Sequence, residues 1–277
     1  MNWMKTLNCT IGSLLLAGVA VAQEAAAPAP VEESSRPAWL PTLELSLDHT
    51  SRYMSEGNVG NPDAINTISL TAEWGINDNF AFHIGGVAII DETDACGNDD
   101  NVEEWDWLVG FTATTPELGK LGKLEVNFDY IYYNYPRDGA HTHDTDTKEY
   151  EIDVNATDLF LSPGIAFVHD FENDTIKANA NVTYEHDLEF ISDKLGFECP
   201  VELWFGNHQY TGSTSDTAVY SLCVQPTLNY EINEHVSIGT YVQMAWAMDG
   251  RVRKDWKEDE NNNAFNVCWG LNLTTKF

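Results

Sequence analysis

Residues 264–277 read Ala-Phe-Asn-Val-Cys-Trp-Gly-Leu-Asn-Leu-Thr-Thr-Lys-Phe. One set of alternate positions is Phe265, Val267, Trp269, Leu271, Leu273, Thr275 and Phe277; the other is Asn266, Cys268, Gly270, Asn272, Thr274 and Lys276. A strand turns successive side chains to opposite faces, so this segment predicts a strand with one apolar face and one small or polar face. It is long for a soluble strand. Alternation alone does not say which face meets the surroundings. The last strand of a secreted β-sandwich and a stave of a membrane barrel read alike here, and the rest of the chain must decide.

Outward from this segment the same grammar repeats nine times. Leu43, Leu45 and Leu47 alternate with Glu44, Ser46 and Asp48, and Ile68 to Ile76 with Ser69, Thr71 and Glu73. Further runs cover 80–85, 105–113, 124–133, 159–167, 176–185, 220–231 and 236–246. Pro163 and Pro226 mark bends in two of them, because proline lacks the ladder N–H. Between the runs, short turns at 77–79, 116–122, 171–174 and 233–235 alternate with long polar connections. The long ones include 91–104, 136–158, 186–216 and 249–263. Within 186–216 one further alternating run, 201–205, reads as a hairpin projecting above the sheet. The expectation is an all-β fold: a transmembrane antiparallel up-and-down β-barrel of about ten strands, with twelve as the alternative. It has short periplasmic turns and long outer loops, and an even strand count returns both ends to one side.

The amino-terminal region supports export. Lys5, the apolar run 11–19 and Ala20-Val21-Ala22 form a signal-peptide pattern over 1–22, and the run is short for a spanning helix. Residues 23–40 are rich in Ala, Pro and Glu and read as a flexible periplasmic lead-in, leaving 41–277 for the barrel. No later stretch is apolar enough for a spanning helix, so a membrane location requires a closed barrel.

The balance of 14 Lys and Arg against 44 Asp and Glu gives a net charge of −30, or −31 once Lys5 is removed. Such acidity argues against nucleic acid as a partner and against tight binding of the chain as a whole to anionic surfaces. Cys96, Cys199, Cys223 and Cys268 have no CxxC spacing. Cys96 and Cys199 both fall in expected loops and are the better pair for a disulfide. Cys223 and Cys268 face inward two strands apart, roughly 9–10 Å at a strand spacing of 4.7–4.9 Å, too far for a relaxed bridge.

The two faces differ in chemistry. On the apolar face, Trp74, Phe80, Phe167, Tyr230 and Phe277 fall near short turns, and Trp105, Tyr132, Tyr184, Tyr220, Trp246 and Phe265 near long loops. Two aromatic belts about 25 Å apart are what a lipid-facing girdle requires. The opposite face carries Glu44, Asp48, Glu73, Asp106, Glu125, Asp129, Glu185 and Glu231, with Lys177 and Lys276. These charges are too costly against lipid and belong in a polar lumen.

The closing strand, ending on Phe277, resembles the C-terminal signal of bacterial outer-membrane barrels, which implies the barrel-assembly machinery as a partner. Ser51-Arg52-Tyr53-Met54-Ser55-Glu56-Gly57 resembles the Ser-x-Tyr-x-x-x-Gly element that follows the first strand in a little-characterised family of bacterial outer-membrane barrels, porin-like proteins among them. Where relatives often carry Arg before the Gly, this chain has Glu56. The resemblance implies a barrel in a Gram-negative outer membrane and supplies no substrate.

Four functions follow for comparison. Carboxylates that outnumber amines in a lumen favour cations, giving porin-like passage of cations or small polar solutes. A plugged barrel presenting acidic outer loops is the structural alternative. His141, His143, Asp144 and Asp146, or Asp91, Glu92, Asp94, Asp99 and Asp100, could hold a divalent cation, although solvated acidic loops are the commoner reason for such runs. Hydrolysis is disfavoured: there is no Gly-x-Ser-x-Gly, and no Ser–His pair is placed by pattern. The reading needs no cofactor, and the partners expected around it are outer-membrane lipid and the barrel-assembly machinery.

Overall fold

A computed structural model describes residues 40–91, 102–135, 146–207, 217–258 and 262–277. The expected leader and nearly all of the lead-in lie outside the described residues. In chain order the elements are β1 (Thr42–Thr50), β2 (Tyr53–Ser55), β3 (Asn58–Asn61), β4 (Ile65–Asn77), β5 (Phe80–Asp91), β6 (Val102–Thr114), β7 (Glu125–Asn134) and β8 (Thr147–Asn155). There follow β9 (Gly164–Asp170), β10 (Thr175–Asp187), β11 (Leu195–Asn207), β12 (Thr217–Val224), β13 (Thr227–Asn233), β14 (Val236–Ala247), helix α1 (Gly250–Glu258) and β15 (Phe265–Lys276).

Every strand except β2 and β3 joins one antiparallel sheet. Each hairpin neighbour pairs in turn from β4 to β11, and β1 lies between β4 and β15. The sheet closes because β11 and β14 both pair with β12 and β13. β12 and β13 are two halves of one stave, so the barrel has twelve staves in up-and-down order. Closure matters because an edge strand leaves a row of unpaired N–H and C=O groups. At the seam Leu47 opposes Leu273, and the ladder runs on through Phe277, whose N–H donates to Leu43 O at 2.9 Å.

The break at Gln225-Pro226 follows from proline chemistry. Pro226 has no N–H to give, but its carbonyl accepts from Val242 N at 3.2 Å, and Gln225 N donates to Pro200 O at 3.1 Å. Backbone pairing therefore carries across the interruption.

The count is twelve and not ten because two strands lie in stretches expected to be loops. β8 falls within 136–158, and β11 takes in the run 201–205, so that run is a barrel strand and not a projecting hairpin. β8 alternates Glu149, Glu151 and Asp153 with Tyr150 and Ile152, but its acid density reads as a loop when apolar residues are the cue. Residues 156–163 become the turn before β9, with Pro163 O accepting from Ala156 N at 2.9 Å. Inserting two strands reverses the direction of the staves between them. The turn 171–174 therefore sits at the end opposite Thr42 and Phe277 (hereafter the terminus end), Tyr184 lies toward the terminus end, and Phe167 moves away from it.

Alternation and burial set the two surfaces. Leu70, Trp107, Ile165, Val242, Val267, Trp269 and Leu271 are exposed on the outside. Trp74, Phe82, Phe111 and Phe80 form a chain of ring contacts at 5.4–5.8 Å near the terminus end. Trp246 meets Phe265 at 4.9 Å near the other end. Tyr220 leaves this set: it is 8% exposed, and its hydroxyl accepts from Trp256 Nε1 at 3.2 Å. The cause is a register shift in the β11–β12 ladder between Leu203 and Phe205. A bulge puts an extra residue in the strand and turns its neighbour to the other face.

Candidate functional site: an acidic interior around an inward hairpin

The residues after β1 fold back into the barrel. Ser51 is held to the wall by two bonds with Trp269: its N–H donates to the carbonyl at 2.9 Å, and its Oγ accepts from the Trp269 N–H at 3.1 Å. Tyr53–Ser55 and Asn58–Asn61 then form a short hairpin about Glu56 and Gly57, which have φ of 51° and 90°. Positive φ at both central residues is the requirement of a type I′ turn, which Gly meets without cost and Glu does not. A Cβ on Gly57 would stand 2.7 Å from Ala245 Cβ and 3.2 Å from Cys223 Sγ, so the turn is pressed against β12 and β14.

Polar contacts seat the hairpin. Ser221 Oγ donates to Glu56 O at 2.5 Å, and Asn266 Nδ2 to Gly57 O at 3.0 Å. Asn262 serves both backbone groups of Val59, accepting from its N–H at 2.9 Å and donating to its carbonyl at 3.3 Å. This amide acts as a one-residue neighbouring strand for the hairpin edge. Met54 and Val59 pack with Trp204, Tyr220, Ala245 and Trp256 into an apolar cluster within the barrel. Helix α1 supplies Val252 and Trp256 to that cluster. It starts on Asp249, whose Oδ1 accepts from Arg251 N at 2.7 Å, an N-cap contact.

The remaining wall is acidic. Lys177 on β10 bonds Glu56 at 3.0 Å and Glu149 at 3.1 Å, and Tyr133 donates to the other Glu149 oxygen at 3.1 Å. Asp129 lies 2.6 Å from His83 Nε2, and Asp48 accepts from Tyr241 at 2.9 Å. Asp106 has one buried oxygen without a hydrogen-bond partner. Glu44 and Lys276 pair at 2.9 Å at the terminus end. Glu73, Glu185 and Glu231 are exposed toward the same end, and Glu125 lies near it, opposite Asn155. Among the described residues Glu151 and Asp153 form neither an ion pair nor a hydrogen bond through their carboxylates. Glu149, Glu151 and Asp153 escape a reading that puts 136–158 in a loop, and Glu202 one that makes 201–205 a projecting hairpin. The period-two spacing of 149, 151 and 153 was the available signal.

Among the described residues no group of three or more His, Cys, Asp or Glu side chains could hold an ion. Asp146 is already occupied: Tyr132, Asn134 Nδ2 and Tyr135 N–H donate to it at 2.5, 2.9 and 3.3 Å. Those bonds, that from Tyr132 foremost, hold its carboxyl below the ordinary value. Asp91 is buried at the end of β5. Glu92, Asp94, Asp99, Asp100, His141, His143 and Asp144 lie outside the described residues, as does Cys96. Cys199 is a free thiol on β11 and not in a loop, and Cys223 and Cys268 are free and buried.

No protein-family model matches the chain, and no curated protein sequence matches it. Solved structures do. An outer membrane channel from Pseudomonas putida F1 superposes with a TM-score of 0.50 at 10% identity, covering 91% of this chain and 100% of that one. The outer membrane protein Omp33 of Acinetobacter baumannii gives 0.40 at 13% identity, covering 87% and 100%. At such identities the likeness concerns the fold alone. These neighbours are bacterial outer-membrane β-barrels.

Proposed function

We propose that the chain is an exported outer-membrane β-barrel that passes cations or small polar solutes through a narrow acidic interior, with the hairpin 53–61 as its constriction. The observation carrying this reading is the pair Glu151 and Asp153, side by side on one face of β8 and, among the described residues, in neither an ion pair nor a hydrogen bond through their carboxylates. An ionised carboxylate away from water is very costly, so to carry their charge these groups need water or cations beside them. Twelve staves also leave more room than the eight whose side chains alone fill a bore. The exposed Leu, Ile, Val and Trp side chains form an apolar outer surface that lipid, and not water, suits. The barrel end that holds Thr42 and Phe277 then lies on the periplasmic side, and β15 is the segment offered to the assembly machinery.

One observation favours the plugged alternative. The hairpin, Trp204, Tyr220 and α1 build an apolar cluster inside the barrel, and such a cluster excludes water from its own side. Planar-bilayer conductance of the refolded protein separates the two. Cation-selective steps, read from the reversal potential in a salt gradient, are expected. A protein that folds yet never conducts supports the plugged barrel, and an anion-selective one contradicts the acidic path.

A further inference from the structure

The outer wall beneath α1 carries a groove of about 680 Å³, lined by Leu222, Trp246, Met248 and Phe265 and by Arg253 and Lys257. That volume is within the roughly 300–1,000 Å³ typical of small-molecule sites. Its floor is apolar and continues into the exposed outer band at Val242 and Val267. Its rim is basic. Arg253 and Lys257 stand four apart and share one side of α1, while Val252 and Trp256 turn inward. Arg253 is held over the groove by a 3.2 Å bond from Nη2 to Ala247 O.

The charge pattern identifies the missing partner. Other bases of the helix are matched, Lys254 with Glu258 at 3.4 Å and Arg251 with Asp249 at 3.8 Å. Among the described residues Arg253 and Lys257 form no ion pair, in a chain with 44 acids to 14 bases. Two unmatched cations above an apolar floor that opens sideways complement an amphiphile with an anionic headgroup and acyl chains. Arg and Lys both take phosphate oxygens, Arg bidentately. From the groove and these two cations we infer a binding site for a phosphorylated lipid of the surrounding outer leaflet, its phosphate on Arg253 and Lys257 and a chain along Leu222, Trp246 and Phe265. The inference rests on the membrane reading above, with the loop end facing outward.

The test is native mass spectrometry of the full chain in detergent with diphosphorylated lipid A as the probe. Wild type is expected to retain the lipid. Arg253→Gln with Lys257→Gln should lower retention at least tenfold, and Arg251→Gln with Lys254→Gln should leave it within about twofold. Leu222→Trp, which fills the groove and leaves both cations in place, should lower retention as well. Dephosphorylated lipid should bind wild type and the Arg253/Lys257 variant equally weakly. Equal retention by wild type and the Arg253/Lys257 variant overturns the site, as does absence of retention by wild type. Displacement by millimolar inorganic phosphate also overturns it, since the chain would then contribute nothing. Heat-modifiable migration of the same samples reports the barrel separately, so loss of lipid with the shift intact refutes only the site.

Discussion

Lys177 reaches Glu56 across the barrel interior at 3.0 Å, tying a wall strand to a turn 121 residues earlier in the chain. The same ammonium holds Glu149 at 3.1 Å, and all three side chains are largely shielded from solvent. One cation thus balances two carboxylates at the point where the hairpin meets the acidic wall. Breaking a buried pair is costlier than the pair's own net worth, because the abandoned charge stays buried. Lys177→Met takes this cation from both carboxylates, although Tyr133 still donates to Glu149. It should lower stability by about 2–4 kcal/mol, at or a little below the range for fully buried pairs because water reaches the site. It should also raise the open probability in planar bilayers as the hairpin loosens. Glu56→Gln, which keeps an acceptor, should do less of both. Unchanged gating in Lys177→Met would show that the pair does not latch the hairpin.

Gly57 gives an independent handle on the same device. An alanine there must keep a φ of 90° and place its Cβ 2.7 Å from Ala245 Cβ. Overpacking alone costs about 1–3 kcal/mol. Because the hairpin can leave while the twelve-stave ladder stays, the cost should surface as local opening. Gly57→Ala is expected to raise conductance and speed amide exchange at Val59, with little shift in global unfolding. Gly75→Ala meets nothing within 4 Å and should be neutral. If both variants behave as wild type, the hairpin is not seated as described.

The two faces make a third test. Leu271 is 43% exposed on the outer surface, and the adjacent Asn272 opposes Asp48 in the β1–β15 ladder. Arg at a lipid-facing mid-barrel position costs about 2–4 kcal/mol in a bilayer. Leu271→Arg should therefore impair refolding into liposomes, whereas Asn272→Arg acquires a carboxylate neighbour and should fold nearly normally. Urea titration in lipid measures both, and equal losses would contradict the assignment of faces.

How far the sequence could be read follows from what sets each feature. The closing strand and the 68–76 run were legible because one face is apolar throughout, and pattern then equals placement. β8 was not, since Thr147-Lys148-Glu149 and Glu151-Ile152-Asp153 are dominated by charge, and a strand whose inner face is acidic looks like a loop to an apolar cue. Tyr220 was misplaced because a bulge in the ladder changes parity without any Gly or Pro beside it to announce the change. The hairpin escaped for another reason: its strands of 3 and 4 residues are too short for periodicity, and its seat consists of contacts with Ser221, Asn262 and Asn266 some 165–209 residues away. Only the Glu56-Gly57 turn was open to local reading.

The final prediction concerns the ions themselves. Asp48 and Asp129, two of the acids the sequence places on the inward face, are engaged with Tyr241 and His83. Their fields are partly spent on those partners. Glu151 and Asp153 have no such partner among the described residues and stand next to Asp129 and Asn127 in the β7–β8 ladder. If cations follow the acidic wall, this pair contributes most to their local concentration. Glu151→Gln with Asp153→Asn removes two charges and keeps size and polarity. The double variant should conduct with clearly reduced cation preference and fold unchanged, while Asp48→Asn should alter selectivity less. The contrast should be largest in dilute salt, since the Debye length falls from about 10 Å at 0.1 M to 3 Å at 1 M. Reversal potentials at both concentrations measure it. A conducting double variant with wild-type selectivity would place the ion path away from β8.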